Sequence, residues 1–273
     1  MELGRDKTVA ETVSRINTAP HGEGVVKVEG TWGSFAHLLA AHISKQIDRP
    51  ILHICPHIDD ADKAADDMQT FGAKAIEPFG AWEGEEEIAD ATDEIRAARL
   101  GIAMKVLAGK QNLLIPTSVQ ALCQPIPKAK ALEKTRLRLK ANESLPPETV
   151  INWLVDNSFE RVDRIDLPGQ FARRGGIIDI FAPLADEKVL TTKKTPTGSA
   201  LAEAIRIEYF GDTIESIRQI NLDTQRSSTE LASITIVSAV SGIEKGDRDL
   251  FLNTLPRDTI IVFEEPVDLQ VVL

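Results

Sequence analysis

At 273 residues the chain exceeds the usual length of one domain, so we expect two or three domains. Hydrophobic residues make up 42% and charged residues 27%, as in globular proteins, and no apolar run approaches the roughly 20 residues of a membrane helix. The polar N-terminus does not resemble a signal peptide, and the formal charge of -11 argues against a chain that itself wraps nucleic acid. We therefore expect a cytoplasmic protein with no membrane partner.

Short apolar runs alternate with helical patterns in the first part of the chain. Strands are predicted over residues 24–30, 50–55, 73–80 and 111–116, and helices over residues 34–47, 59–72 and 90–109. Strands that alternate with helices of this length imply parallel βαβ units. The pattern therefore predicts an α/β domain with a doubly wound parallel sheet over residues 1–130.

Prolines and charged residues interrupt this rhythm near residue 130, and the signals then change. A capped helix is predicted over 146–159, and antiparallel hairpins are predicted from the period-two alternation within 161–183 and 204–227, with an exposed loop at 193–198 between them. Residues 131–226 hold 14 Lys and Arg against 15 Asp and Glu, whereas the rest of the chain holds 17 against 27. A partner could therefore recognise this nearly neutral region separately.

The stretch EGTWGSFAHLL follows a predicted strand and opens a helix, which is the position of a Walker A phosphate loop. When the pattern G-x-x-x-x-G-K-[ST] starts at Gly30, Ala36 replaces the lysine and His37 replaces the hydroxyl residue. A nucleoside triphosphate needs that lysine on its phosphates and that hydroxyl on Mg²⁺. Gly30 and Gly33 fit either an ordinary turn or a loop that has lost nucleotide binding, so we expect no nucleotide and no other cofactor.

The remaining candidate sites favour structural interpretations. HIDDAD (57–62) could hold a divalent ion, but its place at a helix start favours Asp side chains that cap free N–H groups. EGEEE (83–87) reads as a solvated acidic turn, Cys55 and Cys123 as core thiols, and Trp32, Trp82 and Trp153 as packing residues. We therefore predict no metal site and find no catalytic Ser/His/Asp set.

Residues 159–226 resemble a known family. FERVDRIDLPGQFARRGGIIDIFAP and IRIEYFGDTIESIRQINLDTQRS match, in wording and order, the module shared by the excision-repair helicase UvrB and the bacterial transcription-repair coupling factors (Mfd). Weaker resemblance extends over the whole chain. UvrB has an intact Walker A loop at the place of residues 30–37. It also has a tyrosine-rich hairpin at the place of residues 80–115. Because Ala36 replaces the lysine and Tyr209 is the single tyrosine, the coupling factors fit better.

The resemblance implies a degenerate helicase-like parallel-sheet domain over residues 1–130 with an inserted α+β domain over 131–226 that docks the damage-recognition ATPase UvrA. Residues 227–273 would begin a returning, truncated subdomain, with a strand near its end. The chain would then be the N-terminal fragment of a longer repair factor that contacts RNA polymerase and DNA through its other parts. The alternative is a UvrB-type, ATP-dependent DNA helicase domain.

Three residues are carried over from the family's contact with UvrA: Arg174, Arg206 and Phe210. Arg206 and Phe210 have equal parity in one strand and therefore share a face. We expect all three to be exposed, and each change to Ala to weaken UvrA binding by roughly 1 to 3 kcal/mol with little effect on folding. Arg173 is not required by the family pattern.

Overall fold

The computed structural model describes residues 3–19, 24–82, 94–183, 202–222, 224, 226–237 and 245–272. The predicted loop at 193–198 and the predicted acidic turn at 83–87 lie outside these residues. Within the described ranges, no helix has the length and apolar character needed to span a bilayer.

The described residues form helices and strands with the following bounds. The helices are α1 (Lys7–Thr18), α2 (Phe35–Gln46), α3 (Ile58–Thr70), α4 (Glu94–Leu107), α5 (Val119–Cys123), α6 (Ala129–Leu132), α7 (Pro147–Asp156) and α8 (Pro266–Val272). The strands are β1 (Ile51–Cys55), β2 (Leu114–Ser118), β3 (Ile126–Pro127), β4 (Arg136–Lys140), β5 (Glu160–Arg161), β6 (Gln170–Arg174), β7 (Ile177–Pro183), β8 (Ala202–Phe210), β9 (Thr213–Asn221), β10 (Arg226–Glu230), β11 (Ser233–Val237), β12 (Arg248–Asp249) and β13 (Ile260–Phe263).

A parallel sheet with the strand order β13-β1-β2 forms the centre of the first part of the chain. Every residue of β1 and β2 is buried, because helices cover such sheets on both faces. The late strand β13 pairs with β1, with Ile260 opposite Ile51. The predicted parallel α/β arrangement and the predicted strand near the chain's end are thus confirmed. The predicted strand at 73–80 is reduced to isolated bridges from Ile76 and Phe79 to β2.

The predicted strand at 24–30 is wrong. These residues have no regular secondary structure, and Val25 and Val28 are exposed. An apolar run becomes a strand only where a neighbouring strand supplies hydrogen-bond partners, and none of the described strands lies alongside. The packing predicted for Trp32 is also wrong, since its side chain is 86% exposed. Trp82 is buried as predicted.

The second part of the chain is built on a six-stranded sheet with the order β10-β9-β8-β7-β6-β5. Its strands are antiparallel except for the β5–β6 pair, so the predicted hairpins are confirmed. One face packs against α7 through buried isoleucines such as Ile178, Ile207 and Ile217. Strand β11 pairs with β4 and adds Ile234 and Ile236 to this core. The core therefore continues past residue 226, where a boundary was expected.

Two smaller expectations also change. Cys55 is buried in β1, but Cys123 is exposed at the end of α5, so only Cys55 is a core thiol. Helix α3 begins within HIDDAD, at Ile58, but its N-cap residue is His57, whose side chain makes no capping hydrogen bond. Asp59 and Asp60 lie instead in the first turn, where their charges oppose the positive end of the helix dipole.

Candidate docking face and degenerate phosphate loop

The face of the six-stranded sheet that points away from α7 carries the residues predicted to dock a partner. Even-numbered residues of β8 project from this face, because Ile205 and Ile207 occupy the opposite, core face. Phe210 ends the strand with its ring 82% exposed. A hairpin turn with Gly211 at a φ of 60° follows it and returns the chain into β9. The expectation that Phe210 is exposed therefore agrees with its position.

Arg206 shares this face but is less available than expected. Its cross-strand partner in β7 is Asp179, and the guanidinium donates from Nε and Nη2 to the two carboxylate oxygens at 2.7 and 2.8 Å. Asp179 is buried, and only 18% of the Arg206 side chain is exposed. The expectation of a guanidinium open to a partner's carboxylate is therefore wrong, because the bidentate fork is already filled within the sheet.

The two arginines of the RRGG stretch project from opposite faces of the sheet. Arg174 lies opposite Ile177 in β7, and Ile177 lies opposite Glu208 in β8. Because residues opposite one another in a sheet share a face, Arg174 lies on the same face as Glu208 and Arg206. It is exposed, and its Nη2 donates to the Asp163 carbonyl oxygen at 2.7 Å. Arg173 faces the other way and donates to Glu148 in the first turn of α7 at 2.5 Å. Arg173 thus ties the helix to the sheet.

The two glycines that follow make the turn possible. Gly175 has a φ of 61°, a conformation that favours glycine. A Cβ on Gly176 would lie 3.0 Å from the Tyr209 carbonyl oxygen, because β8 passes close to the turn. The RRGG stretch is therefore a tight β6–β7 hairpin with one arginine on each face.

Further polar side chains surround the predicted residues and were missed in the sequence. Arg218 lies opposite Arg206 in β9, with its Nη1 3.7 Å from a Glu208 carboxylate oxygen. Ser216 donates to the same oxygen at 2.9 Å. Only the strand register brings these residues together. We define the docking face as Arg174, Arg206, Glu208, Phe210 and Arg218.

The stretch compared above with a phosphate loop, Gly30 to His37, leads into the start of α2. Gly30 and Gly33 have φ values of 73° and 55°, and a Cβ on either would meet nothing within 4 Å. The glycines therefore serve the backbone turn and not a close contact. Ala36 is half-buried and offers no charge for a phosphate.

His37 is buried and belongs to a polar cluster that the sequence analysis did not find. Its Nδ1 lies 2.8 Å from an Asp67 carboxylate oxygen in α3, and its Nε2 lies 3.1 Å from both carboxylate oxygens of Glu264, directly after β13. His53 in β1 places its Nε2 2.7 Å from Glu264, and the Cys55 thiol donates to the same oxygen at 3.4 Å. We call His37, His53, Asp67 and Glu264 the histidine cluster.

The cluster favours charged forms of its members. Burial opposes ionisation of Glu264, but hydrogen bonds from His37 and His53 outweigh it and hold the pKa of this carboxyl well below its usual range. Burial likewise opposes protonation of His37, but its hydrogen bonds to Glu264 and Asp67 raise the pKa of the imidazole. His37 thus lies between two carboxylates, whose negative charges would repel a phosphate.

The comparisons with known proteins agree with this architecture. The family model of the UvrB interaction domain matches residues 137–193 and 196–241. The transcription-repair-coupling factor of Bacillus subtilis is 28% identical over 226 residues, which cover 82% of this chain and 18% of that protein. The Mycobacterium bovis protein of the same name is 29% identical over a region that covers 74% of this chain and 15% of that protein. The Staphylococcus aureus strain USA300 protein is 24% identical over a region that covers 86% of this chain and 20% of that protein.

This chain spans about a fifth or less of the length of these curated relatives. The domain match covers the six-stranded sheet, α7 and the β4–β11 pair, and the relatives extend the similarity over most of the remaining chain. The resemblance stated for residues 159–226 is thereby confirmed: residues 137–193 and 196–241 match the UvrB interaction domain, and the chain is similar over most of its length to bacterial transcription-repair-coupling factors.

Proposed function

We propose that this chain is a protein-interaction module that recruits UvrA to a transcription-coupled repair factor and does not itself use nucleotide. The observation that carries the proposal is the exposed ring of Phe210, which projects from the same face of the sheet as Arg174, Arg206 and Arg218. Aromatic and guanidinium groups are the side chains most often found at the energetic centre of protein interfaces. The matching family is the UvrB interaction domain, which supports an interaction role for the same part of the chain.

The expected contribution of Phe210 follows from its exposure. A phenylalanine buries roughly 150 to 250 Å² when fully covered, and apolar burial contributes about 25 cal/mol per Å². Covering the 82% of Phe210 that is exposed would therefore stabilise a complex by about 3 to 5 kcal/mol. This is an upper bound, because a complex leaves part of the ring in contact with solvent. The surrounding charges of Arg174, Glu208 and Arg218 would orient an acidic partner surface.

The test is direct binding of the purified chain to UvrA by calorimetry. Phe210→Ala should weaken binding by about 1 to 3 kcal/mol, and Arg174→Ala should weaken it by a smaller amount. Matched controls are Phe263→Ala and Arg257→Ala, which remove an exposed phenylalanine and an exposed arginine outside the docking face. If Phe210→Ala binds like wild type while its melting temperature falls, the ring is structural and the docking face is elsewhere.

DNA binding separates this function from the alternative helicase. The net charge of -11 predicts only weak non-specific affinity for DNA, with a Kd of roughly 10⁻⁴ M at physiological salt. Nanomolar, salt-sensitive binding to damaged duplex would instead favour a UvrB-type helicase domain. We assign contacts with RNA polymerase and DNA to other parts of a longer parent protein.

A further inference from the structure

One member of the histidine cluster, His37, stands at the sequence position at which a phosphate loop has its magnesium-binding hydroxyl. In phosphate-loop enzymes, the loop hydroxyl and an acidic residue hold Mg²⁺ together. Here His37 stands at the hydroxyl position of the pattern, and Glu264 leaves the end of β13 beside it. The hard hydroxyl oxygen is thus replaced by imidazole nitrogen, and a second imidazole, His53, points at the same carboxylate.

We propose that His37, His53 and Glu264 form a binding site for a divalent transition metal ion such as Zn²⁺. Their donor atoms lie within 4.8 Å of one another, and this is the one group of three such donors found among the described residues. Imidazole and carboxylate are ligands that suit Zn²⁺, whereas Mg²⁺ prefers oxygen alone. The inference is independent of UvrA docking, which involves the other sheet.

The spacing of the donors fits a small metal ion. Zinc bonds to nitrogen and oxygen are about 2.0 to 2.2 Å long, so tetrahedral ligands are separated by roughly 3.3 to 3.5 Å. The His37 and His53 Nε2 atoms lie 3.1 and 2.7 Å from the Glu264 oxygens. An entering ion would replace the shared protons, and these two distances would have to lengthen by roughly 0.2 to 0.8 Å.

The surroundings also resemble a metal site. Asp67 accepts a hydrogen bond from His37 Nδ1 at 2.8 Å, which directs the Nε2 lone pair of the neutral ring toward Glu264. A carboxylate behind a ligand histidine is the usual support for metal-bound imidazole. His53 is completely buried, but Asp67 and Glu264 are partly exposed. An ion could therefore enter from their side.

Zinc binding is tested first on the tag-free, wild-type chain by competition with a chromophoric zinc chelator. We expect one ion per chain with micromolar or tighter affinity. Long-range ¹H–¹⁵N spectra should then show zinc-dependent shifts of the His37 and His53 ring nitrogens, with His42 and His57 unchanged. Because this measurement uses wild type alone, it does not depend on the folding of any variant.

Variants with matched controls complete the test. Glu264→Gln and His53→Gln should weaken zinc binding by more than tenfold, and Asp67→Asn by about tenfold. His57→Gln and Asp66→Asn change exposed neighbours of the same types and should bind like wild type. The proposal is overturned if wild type binds no zinc at micromolar concentrations, if the shifts fall on His42 or His57 only, or if folded Glu264→Gln binds like wild type.

Discussion

Replacing Arg206 with Ala should destabilise the six-stranded sheet more than an ordinary surface substitution would. The change leaves the Asp179 carboxylate buried and without the two hydrogen bonds, at 2.7 and 2.8 Å, that neutralise it. Removing one partner of a buried ion pair costs about 3 to 5 kcal/mol. Because 18% of the Arg206 side chain is exposed and water can reach the site, we expect the lower end, about 3 kcal/mol.

Urea unfolding followed by circular dichroism measures this loss. If the free energy of unfolding decreases by about 2 kcal/mol per M of urea, a loss of about 3 kcal/mol should lower the urea concentration at the unfolding midpoint by about 1.5 M. Native-state hydrogen exchange should locate the change in β7 and β8. UvrA binding by Arg206→Ala is best measured at low temperature, where the variant is still folded, so that lost stability is not mistaken for lost affinity.

Two further variants make the reasoning refutable. Arg218→Ala removes the neighbouring, more exposed arginine, whose 3.7 Å contact with Glu208 should contribute no more than about 1 kcal/mol. The double change Asp179→Leu with Arg206→Met removes both charges at similar volume and should recover most of the stability. If Arg206→Ala is no less stable than Arg218→Ala, or if the double variant is as unstable as Arg206→Ala, the buried-pair argument is wrong.

Three other predictions follow from buried groups and from the phosphate loop. Burial raises the pKa of Tyr209 to about 12, whereas a tyrosine in an unfolded chain titrates near pH 10. Between these pH values the unfolded state loses the proton and the folded state keeps it. The free energy of unfolding should therefore be constant with respect to this group below pH 10 and should decrease between pH 10 and 12. Tyrosinate absorbance follows this single tyrosine directly, and Tyr209→Phe should abolish its share of the pH dependence. The buried Arg99 guanidinium donates to the carbonyl oxygens of Gly80, Ala121 and Gln124. Arg99→Met should therefore lower the free energy of unfolding, measured with heat or urea, by about 3 kcal/mol or more. Arg99→Lys should recover little of this loss, because an ammonium group lacks the planar set of donors of a guanidinium. Calorimetry should detect no micromolar ATP binding, because Ala36 supplies no charge and His37 is engaged with two carboxylates; micromolar binding that is lost on disrupting residues 30–37 would contradict this.

The sequence predicted local patterns well and contacts between distant residues poorly. Alternation in 161–183 and 204–227 was enough to predict β7, β8 and β9, since a sheet with one apolar core face imposes period two. It could not predict that Asp179 lies opposite Arg206, because the register depends on the turn between their strands. His37 and Glu264 are 227 positions apart, so no local pattern could join them. The run at 24–30 has the composition of a strand, but composition does not supply a partner strand.

The position of β13 at the end of its sheet has a consequence for handling the purified protein. Among the described strands, only β1 pairs with it, so no described strand hydrogen-bonds to its other edge. Ile261 and Phe263 are exposed on the same strand, and Val25 and Trp32 are exposed elsewhere in this part of the chain. Open apolar edges of this kind are templates for pairing between molecules. Concentrated solutions should therefore self-associate through β13, and a lysine at position 263 should raise the concentration at which light scattering first appears.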